Sequence, residues 1–179
     1  MMKNLFGEEH IVEEDDFTTF LKHKDEETLY GRVNRLKFLH KIKSEGVLFS
    51  GDMELAHTYG EVQYAYVEGF FLSTLLLSQA FIEKLMQSYF EVRGIKCRNT
   101  FNSMLKYAKE NDLFNEYILR KLDFLRLIRN PITHLKSMEY EHGLGKRSHE
   151  AKKHPLEKLE EEATLAISIM IHIAQKGFY

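Results

Sequence analysis

From Phe70 the chain reads Phe70-Phe71-Leu72-Ser73-Thr74-Leu75-Leu76-Leu77-Ser78-Gln79-Ala80-Phe81-Ile82 and continues, still largely apolar, to Phe90. Apolar side chains fall on nearly every side of a helix drawn through this segment. That is the pattern of a central helix packed on several faces rather than of a helix lying on a surface. The neighbouring run from Val62 to Leu77 is the most apolar of the chain, but Gln63, Glu68, Gly69, Ser73 and Thr74 interrupt it. A membrane-crossing helix needs about 20 predominantly apolar residues, so the run reads as a buried helix and no membrane partner is expected.

Working outward, one long helix is expected from about Met53 to Arg93, with a weak point near Gly60 and a stop at Gly94. The turn Ser50-Gly51-Asp52 offers N-cap residues for it. On the N-terminal side, Glu8 to Asp16 is strongly acidic and reads as a frayed arm. Leu29, Val33, Leu36, Leu39 (or His40) and Ile42 then recur near helical spacing and predict a helix packing on the bundle, with Gly46 as a stop. On the C-terminal side, Asn99 or Thr100 caps a short helix that Asn111-Asp112 ends. A further helix is expected from Leu113 to Arg129, broken at Asn130-Pro131. Glu139 to Pro155 reads as a loop. The last helix begins near Leu156, with the stripe Leu156, Leu159, Ala163, Ala166 or Ile167, Met170 and Ala174. Its early Glu157, Glu160, Glu161 and Glu162 suit a helix N-terminus.

Only two prolines occur in 179 residues, which favours long uninterrupted elements, and no segment alternates with period two. The expected fold class is all-α, an up-and-down helical bundle. Residues 1–52 are expected to form an acidic arm and a helix packing on the bundle, and residues 53–179 the bundle itself. With 44% hydrophobic residues the composition is that of a globular chain rather than a disordered one. The single cysteine, Cys97, excludes an internal disulfide framework and a Cys-rich zinc site. It fits a reducing, cytoplasmic setting, and no secretory leader is read at Met1 to His10.

The formal charge of −2 hides an uneven distribution. Arg93 to Lys153 holds 14 Lys/Arg against 7 Asp/Glu, a net of +7; the remainder holds 11 against 20, a net of −9. The basic stretch is where a phosphate-bearing partner would be attracted. Within it lies Leu125-Arg126-Leu127-Ile128-Arg129-Asn130-Pro131-Ile132-Thr133-His134. Arg129 continues the helix face of Phe114, Ile118, Leu122 and Leu125, whereas Glu116, Arg120 and Asp123 occupy the solvent face. An arginine turned toward packed surface needs a partner, since an unpaired buried charge is costly. A break at Asn130-Pro131 would let Arg129 and His134 converge on one site. Histidine exchanges a proton near neutral pH, and the guanidinium fork suits phosphate oxygens. Together they fit phosphodiester cleavage through a ribose 2′-OH, without a metal. The same residues also read as an ordinary helix end, with arginine complementing the dipole and Asn-Pro terminating it.

Arg129-Asn130-x3-His134 resembles the R-x4–6-H motif of HEPN domains (higher eukaryotes and prokaryotes nucleotide-binding). The helix containing Gln79-Ala80-Phe81-Ile82-Glu83-Lys84-Leu85, the short Thr100-Phe101-x2-Met104-Leu105 helix and the Glu160-Glu161-Glu162-Ala163-x3-Ile167 helix are similar to the family's surroundings. The resemblance spans about Gly60 to Tyr179. It implies a HEPN-like bundle and a metal-independent endoribonuclease with no cofactor, in a stress, toxin or phage-defence system. It also implies a homodimer, with an antitoxin or regulatory protein as a further partner. Arg129 and His134 would be the catalytic pair and Asn130 a polar helper. The R-x4-H-x-Y form of the subgroup paired with small nucleotidyltransferases is not met, because Leu135 and Lys136 follow His134. Members of the superfamily that only bind nucleotide or a protein partner supply the alternative function.

Other candidates are subsidiary. Gln79 and Glu83 are polar in an apolar helix, read as a surface strip, as a satisfied core hydrogen bond or as support for His134. Lys136, Lys146, Arg147, Lys152 and Lys153 are the expected RNA contacts. His142, His149 and His154 lack a familiar metal spacing and read as solvated loop histidines. Tyr64, Tyr66, Phe70, Phe71, Phe81, Tyr89 and Phe90 read as core rather than base-stacking groups.

Overall fold

The computed structural model describes residues 2–3, 9–10, 14–43, 46–47, 52–98, 100–134, 136–137 and 139–178. Two two-residue strands, β1 (Met2–Lys3) and β2 (Glu9–His10), pair antiparallel near the N-terminus. The rest of the regular structure is helical: α1 (Glu14–Ile42), α2 (Met53–Glu68), α3 (Phe71–Val92), α4 (Phe101–Glu110), α5 (Glu116–Thr133), α6 (Leu144–Ala151) and α7 (Pro155–Lys176). The fold is the expected all-α, up-and-down bundle.

At its centre is α3. From Thr74 to Phe90 only Ala80 is exposed, because α7 and α2 pack along the helix and α5 and α4 close the remaining sides. Tyr59 meets Phe81, and Lys84 reaches Asp52 and Glu54, so α2 runs antiparallel to α3. Tyr66 shares a hydrogen bond with Thr164, and Tyr89 meets Phe178. Those two levels set α7 parallel to α3. Phe90 stacks on Phe114 just ahead of α5, and Phe114 on Phe178 at 4.2 Å, which sets α5 antiparallel to α3.

The single helix expected from Met53 to Arg93 is two helices. Gly69 takes a left-handed φ of 83°; its N–H donates to the Tyr66 carbonyl and that of Phe70 to the Ala65 carbonyl. This paired closure is a Schellman cap, which favours glycine because a Cβ is strained there. Gly60, the expected weak point, lies inside α2. Asp52 caps α2 as expected, accepting from the Leu55 N–H at 2.8 Å. That hydrogen bond, with help from Lys84, holds the Asp52 carboxyl below its ordinary pKa. Thr100 caps α4, Asn115 rather than a residue near Leu113 caps α5, and Gly94 follows the end of α3.

The N-terminal reading changes more. Helix α1 begins at Glu14, inside the segment expected to fray; Glu8 and residues 11–13 of that segment lie outside the described residues. Of its expected stripe, Leu39 is buried and Ile42 half-buried, but Leu29, Val33 and Leu36 are exposed. Tyr64 and Phe70 are also exposed, unlike the other aromatics read as core, and Leu156 is the exposed member of the α7 stripe.

The expected loop from Glu139 to Pro155 contains α6, and its arginine is not at the surface. Arg147 is 8% exposed and Glu162 2%. Arg147 Nε donates to Glu162 Oε1 at 2.8 Å, and a second nitrogen donates to Oε2 at 2.6 Å. A third nitrogen of the guanidinium donates to the His142 carbonyl. This two-pronged pair fastens α6 to α7. Glu162 is therefore a tertiary partner and not only a charge suited to the α7 N-terminus. Removing one member leaves the other charged and buried, so Arg147→Ala should cost about 3 kcal/mol or more. The double replacement Arg147→Met with Glu162→Leu should cost much less than Arg147→Ala. Urea denaturation followed by circular dichroism checks both.

Candidate active site at the end of α5

Along α5, Ile118, Leu122 and Leu125 are buried, as is Phe114 just before it, while Glu116 and Arg120 are exposed. The helix presents the face read from its spacing. Arg129 follows one turn after Leu125 and is half-buried. Its Nε is shielded from solvent and has no hydrogen-bond partner, and among the described residues its guanidinium makes no ion pair. The Nε of Arg32 is likewise shielded without a partner, but the missing ion pair sets Arg129 apart from Arg32, Arg35, Arg126 and Arg147, each of which meets a carboxylate within 3.5 Å. The aliphatic stem of Arg129 continues the apolar face, while the head carries a positive charge that no neighbouring carboxylate neutralises.

The expected break at Asn130-Pro131 does not occur. Pro131 lies inside α5, which runs on to Thr133. Proline lacks an N–H, so the helical bond to the Leu127 carbonyl is missing at this point. Near a helix end that loss is tolerated, and Asn130 stays helical despite the usual bias before proline. The helix stops instead at His134, which takes an extended conformation (φ −131°, ψ 136°) while its N–H donates to the Asn130 carbonyl at 3.0 Å. His134 is exposed and Asn130 half-buried. Asn130 lies in the last turn of α5, with Arg129 just ahead of that turn and His134 just beyond it. The convergence expected from a break at Asn130-Pro131 therefore loses its stated cause, because the helix stays unbroken to Thr133.

Gln79 and Glu83 lie one turn apart on α3. Gln79 is 2% exposed; its Nε2 donates to Glu83 Oε1 at 2.5 Å, and its Oε1 is buried without a partner. Counting back from the Phe90–Phe114 stack along the antiparallel pair, Gln79 lies within about 6 Å, one helical turn, of Arg129 along the axis. No hydrogen bond links Gln79 or Glu83 to Arg129 or His134 among the described residues. The Gln79–Glu83 bond matches the core hydrogen-bond reading; the uncapped Oε1 was not legible in the sequence.

The expected basic contacts divide. Lys136, Lys146 and Lys152 are exposed, with Lys136 Nζ 5.5 Å from the centre of the Tyr140 ring. Lys152 ends α6 with a left-handed φ of 53°. Lys153 is held by Glu161 and lies 3.8 Å from Glu157. The hydrogen bond to Glu161 raises the Lys153 pKa and lowers that of Glu161. Arg147 leaves the set, because its donors are spent inside the fold on Glu162 and the His142 carbonyl. Of the three histidines of the region, His142 stays in a turn as expected, while His149 lies in α6 and His154 caps α7 by accepting from the Leu156 N–H. No group of three or more His, Cys, Asp or Glu side chains able to hold a metal occurs among the described residues. No described helix is long and apolar enough to cross a membrane.

No protein-family model, curated protein or solved structure matches this chain.

An arginine kept for packing and one kept for a ligand respond differently to replacement. Arg129→Met retains the stem and removes an unneutralised charge. It should leave stability within about 0.5 kcal/mol of wild type or raise it. A loss above about 1.5 kcal/mol would mark the guanidinium as structural. Pro131→Ala restores the bond to Leu127 and should stabilise the chain by about 1 kcal/mol or more, toward the helix-interior cost of proline. Thermal melts of both variants give the answer.

Proposed function

We propose that this chain is a HEPN-like, metal-independent endoribonuclease whose reacting groups are Arg129 and His134. The observation that carries the reading is the half-buried Arg129 guanidinium, left without a carboxylate among the described residues, five residues before an exposed histidine. A positive charge held against apolar surface is less screened than one in water and interacts more strongly with an approaching phosphate. The exposed Lys136, Lys146 and Lys152 add attraction for a polyanion in the same part of the sequence.

In the proposed reaction, His134 accepts the proton of a ribose 2′-OH as that oxygen bonds to phosphorus. Arg129 stabilises the charge that builds on the phosphoryl oxygens. The protonated His134 then gives its proton to the departing 5′ oxygen, and a 2′,3′-cyclic phosphate remains. The Asn130 side chain serves as a polar helper beside the phosphate. The proposed setting is a stress, toxin or defence system in the cytoplasm, with the active species a homodimer and an antitoxin or regulatory protein as its control.

Purified wild type should cleave single-stranded RNA with EDTA present and leave 2′,3′-cyclic phosphate ends. His134→Ala should lose at least about a hundredfold in rate, the scale of a general acid–base group. Arg129→Met should lose a comparable factor while remaining folded. RNA bound but not cut by wild type would replace the enzyme with a binding module, and cleavage unchanged in His134→Ala would remove the mechanism.

A further inference from the structure

Helices α5 and α7 leave a trough between them. One half has a volume of about 340 Å³ and a floor of Ile118, Leu165 and Ile169, with Tyr117, Lys121 and His172 along it. The other, of about 510 Å³, is lined by Arg120, Phe124 and Lys158, with Glu161 and Glu162. Lys121 and Leu165 line both halves, so the two are continuous. From His172 to Lys158 the trough runs about 21 Å along α7 at the helical rise.

The charges of the two halves differ. The first has no carboxylate among its lining residues. In the second, Glu162 is held by Arg147 and Glu161 by Lys153. Lys158 makes longer contacts with the same carboxylates, at 3.6 Å and 3.9 Å. Arg120 stands 3.9 Å from Glu116 with both side chains largely exposed, a weak pair. Lys121, where the halves join, is half-buried and makes no ion pair among the described residues. Its Nζ lies instead 5.3 Å from the centre of the Tyr117 ring. Tyr117 is 60% exposed, an aromatic face left in water.

A single-stranded nucleic acid matches this set. Its bases stack on aromatic rings whatever the sequence, and its phosphates seek cations not already neutralised. Tyr117 supplies the first and Lys121 the second, one turn apart on α5. The apolar floor keeps part of the solvent from Lys121, which strengthens its pull on a phosphate. An apolar peptide seated here would bury the Lys121 charge without a partner, which is costly.

We propose that this trough is the path by which single-stranded RNA reaches the end of α5, with a base stacked on Tyr117 and the adjoining phosphate on Lys121. The proposal rests on reading Arg129 and His134 as the cutting pair. Tyr117, Lys121, Phe124 and Pro131 fall on one face of α5, so a strand in the trough is led along the helix toward His134. Thr133, the last helical residue, is about 14 Å beyond Phe124 along the axis, a span of a few nucleotides. At the Lys158 end, the Arg147–Glu162 pair fastens α6, which bears the exposed Lys146, to the trough wall.

Fluorescence anisotropy with a labelled single-stranded RNA bearing 2′-O-methyl sugars tests this, because that probe binds but cannot be cut. Affinity is measured over a range of salt concentrations. Tyr117→Leu should weaken binding about tenfold and leave the salt dependence unchanged, since it removes a stack and no charge. Lys121→Gln should weaken binding at low salt and reduce the slope of log affinity against log salt by about 0.7, one phosphate contact on a single strand. Lys121→Arg should keep the wild-type slope, and circular dichroism should be unchanged in all three. With cleavable RNA, Tyr117→Leu and Lys121→Gln should raise KM and leave kcat near wild type. Wild-type affinity and slope in both of those variants overturn the proposal, as does a wild type that does not bind the probe. A poly-glutamate peptide that displaces the probe as well as unlabelled RNA does would assign the trough to an acidic protein instead. Trough-dependent binding by a wild type that cuts nothing overturns the ribonuclease reading alone; cleavage that neither variant alters overturns the trough alone.

Discussion

The rest of the molecule depends on the need to cover α3. A helix apolar on most of its circumference cannot sit at a surface, and each apolar side chain left in water forgoes about 1.5–3 kcal/mol of burial. Covering α3 takes several neighbours, which α2, α5, α7 and α4 supply. Because α2 and α3 adjoin in sequence, the chain must reverse between them within two residues, and the left-handed Gly69 makes that reversal. Once α2 and α7 line α3, α5 takes a remaining side, and the Phe90–Phe114–Phe178 stack sets its level. The end of α5, with Arg129 and His134, is then carried to the end of the bundle opposite that aromatic cluster.

A second layer of order comes from arginines that reach between helices. Arg147 joins α6 to α7 through Glu162, and Arg35 ties α1 to both the α2 end and α7 through the Val67 carbonyl and Glu160. Such pairs add little net stability compared with apolar packing, but a displaced helix would leave a charge buried alone. They select one arrangement over near alternatives. Arg129 stands outside this network: the same packing that pairs Arg147 leaves the Arg129 Nε shielded and unpartnered. A fold that neutralises its other half-buried and buried arginines gains nothing structural from this one, which is the physical ground for reading it as reserved for a ligand.

Charge is unevenly spread along the chain. Residues 14–31 carry six Asp/Glu against two Lys, and α2 carries Glu54, Glu61 and Glu68 with no lysine or arginine. The basic run from Arg93 to Lys153 holds both the Arg129–His134 pair and the α5 side of the α5–α7 trough.

The sequence by itself determined the all-α class, the many-sided apolar segment from Phe70 to Phe90, the face of α5 and caps within Ser50-Gly51-Asp52 and at Asn99 or Thr100, because helical periodicity and capping are local properties of neighbouring residues. It also brought Arg129 and His134 forward through residue type and spacing. It did not determine that Leu29, Val33 and Leu36 stay exposed, since an apolar stripe looks the same whether or not anything lies against it. It did not separate Arg147 from the solvent-facing lysines, because the carboxylate that claims it is on another helix. Nor did it decide whether Pro131 breaks α5. The cost of proline near a helix end is small enough for packing to override it, so the continuation of α5 through Pro131 to Thr133 was decided only by the tertiary structure.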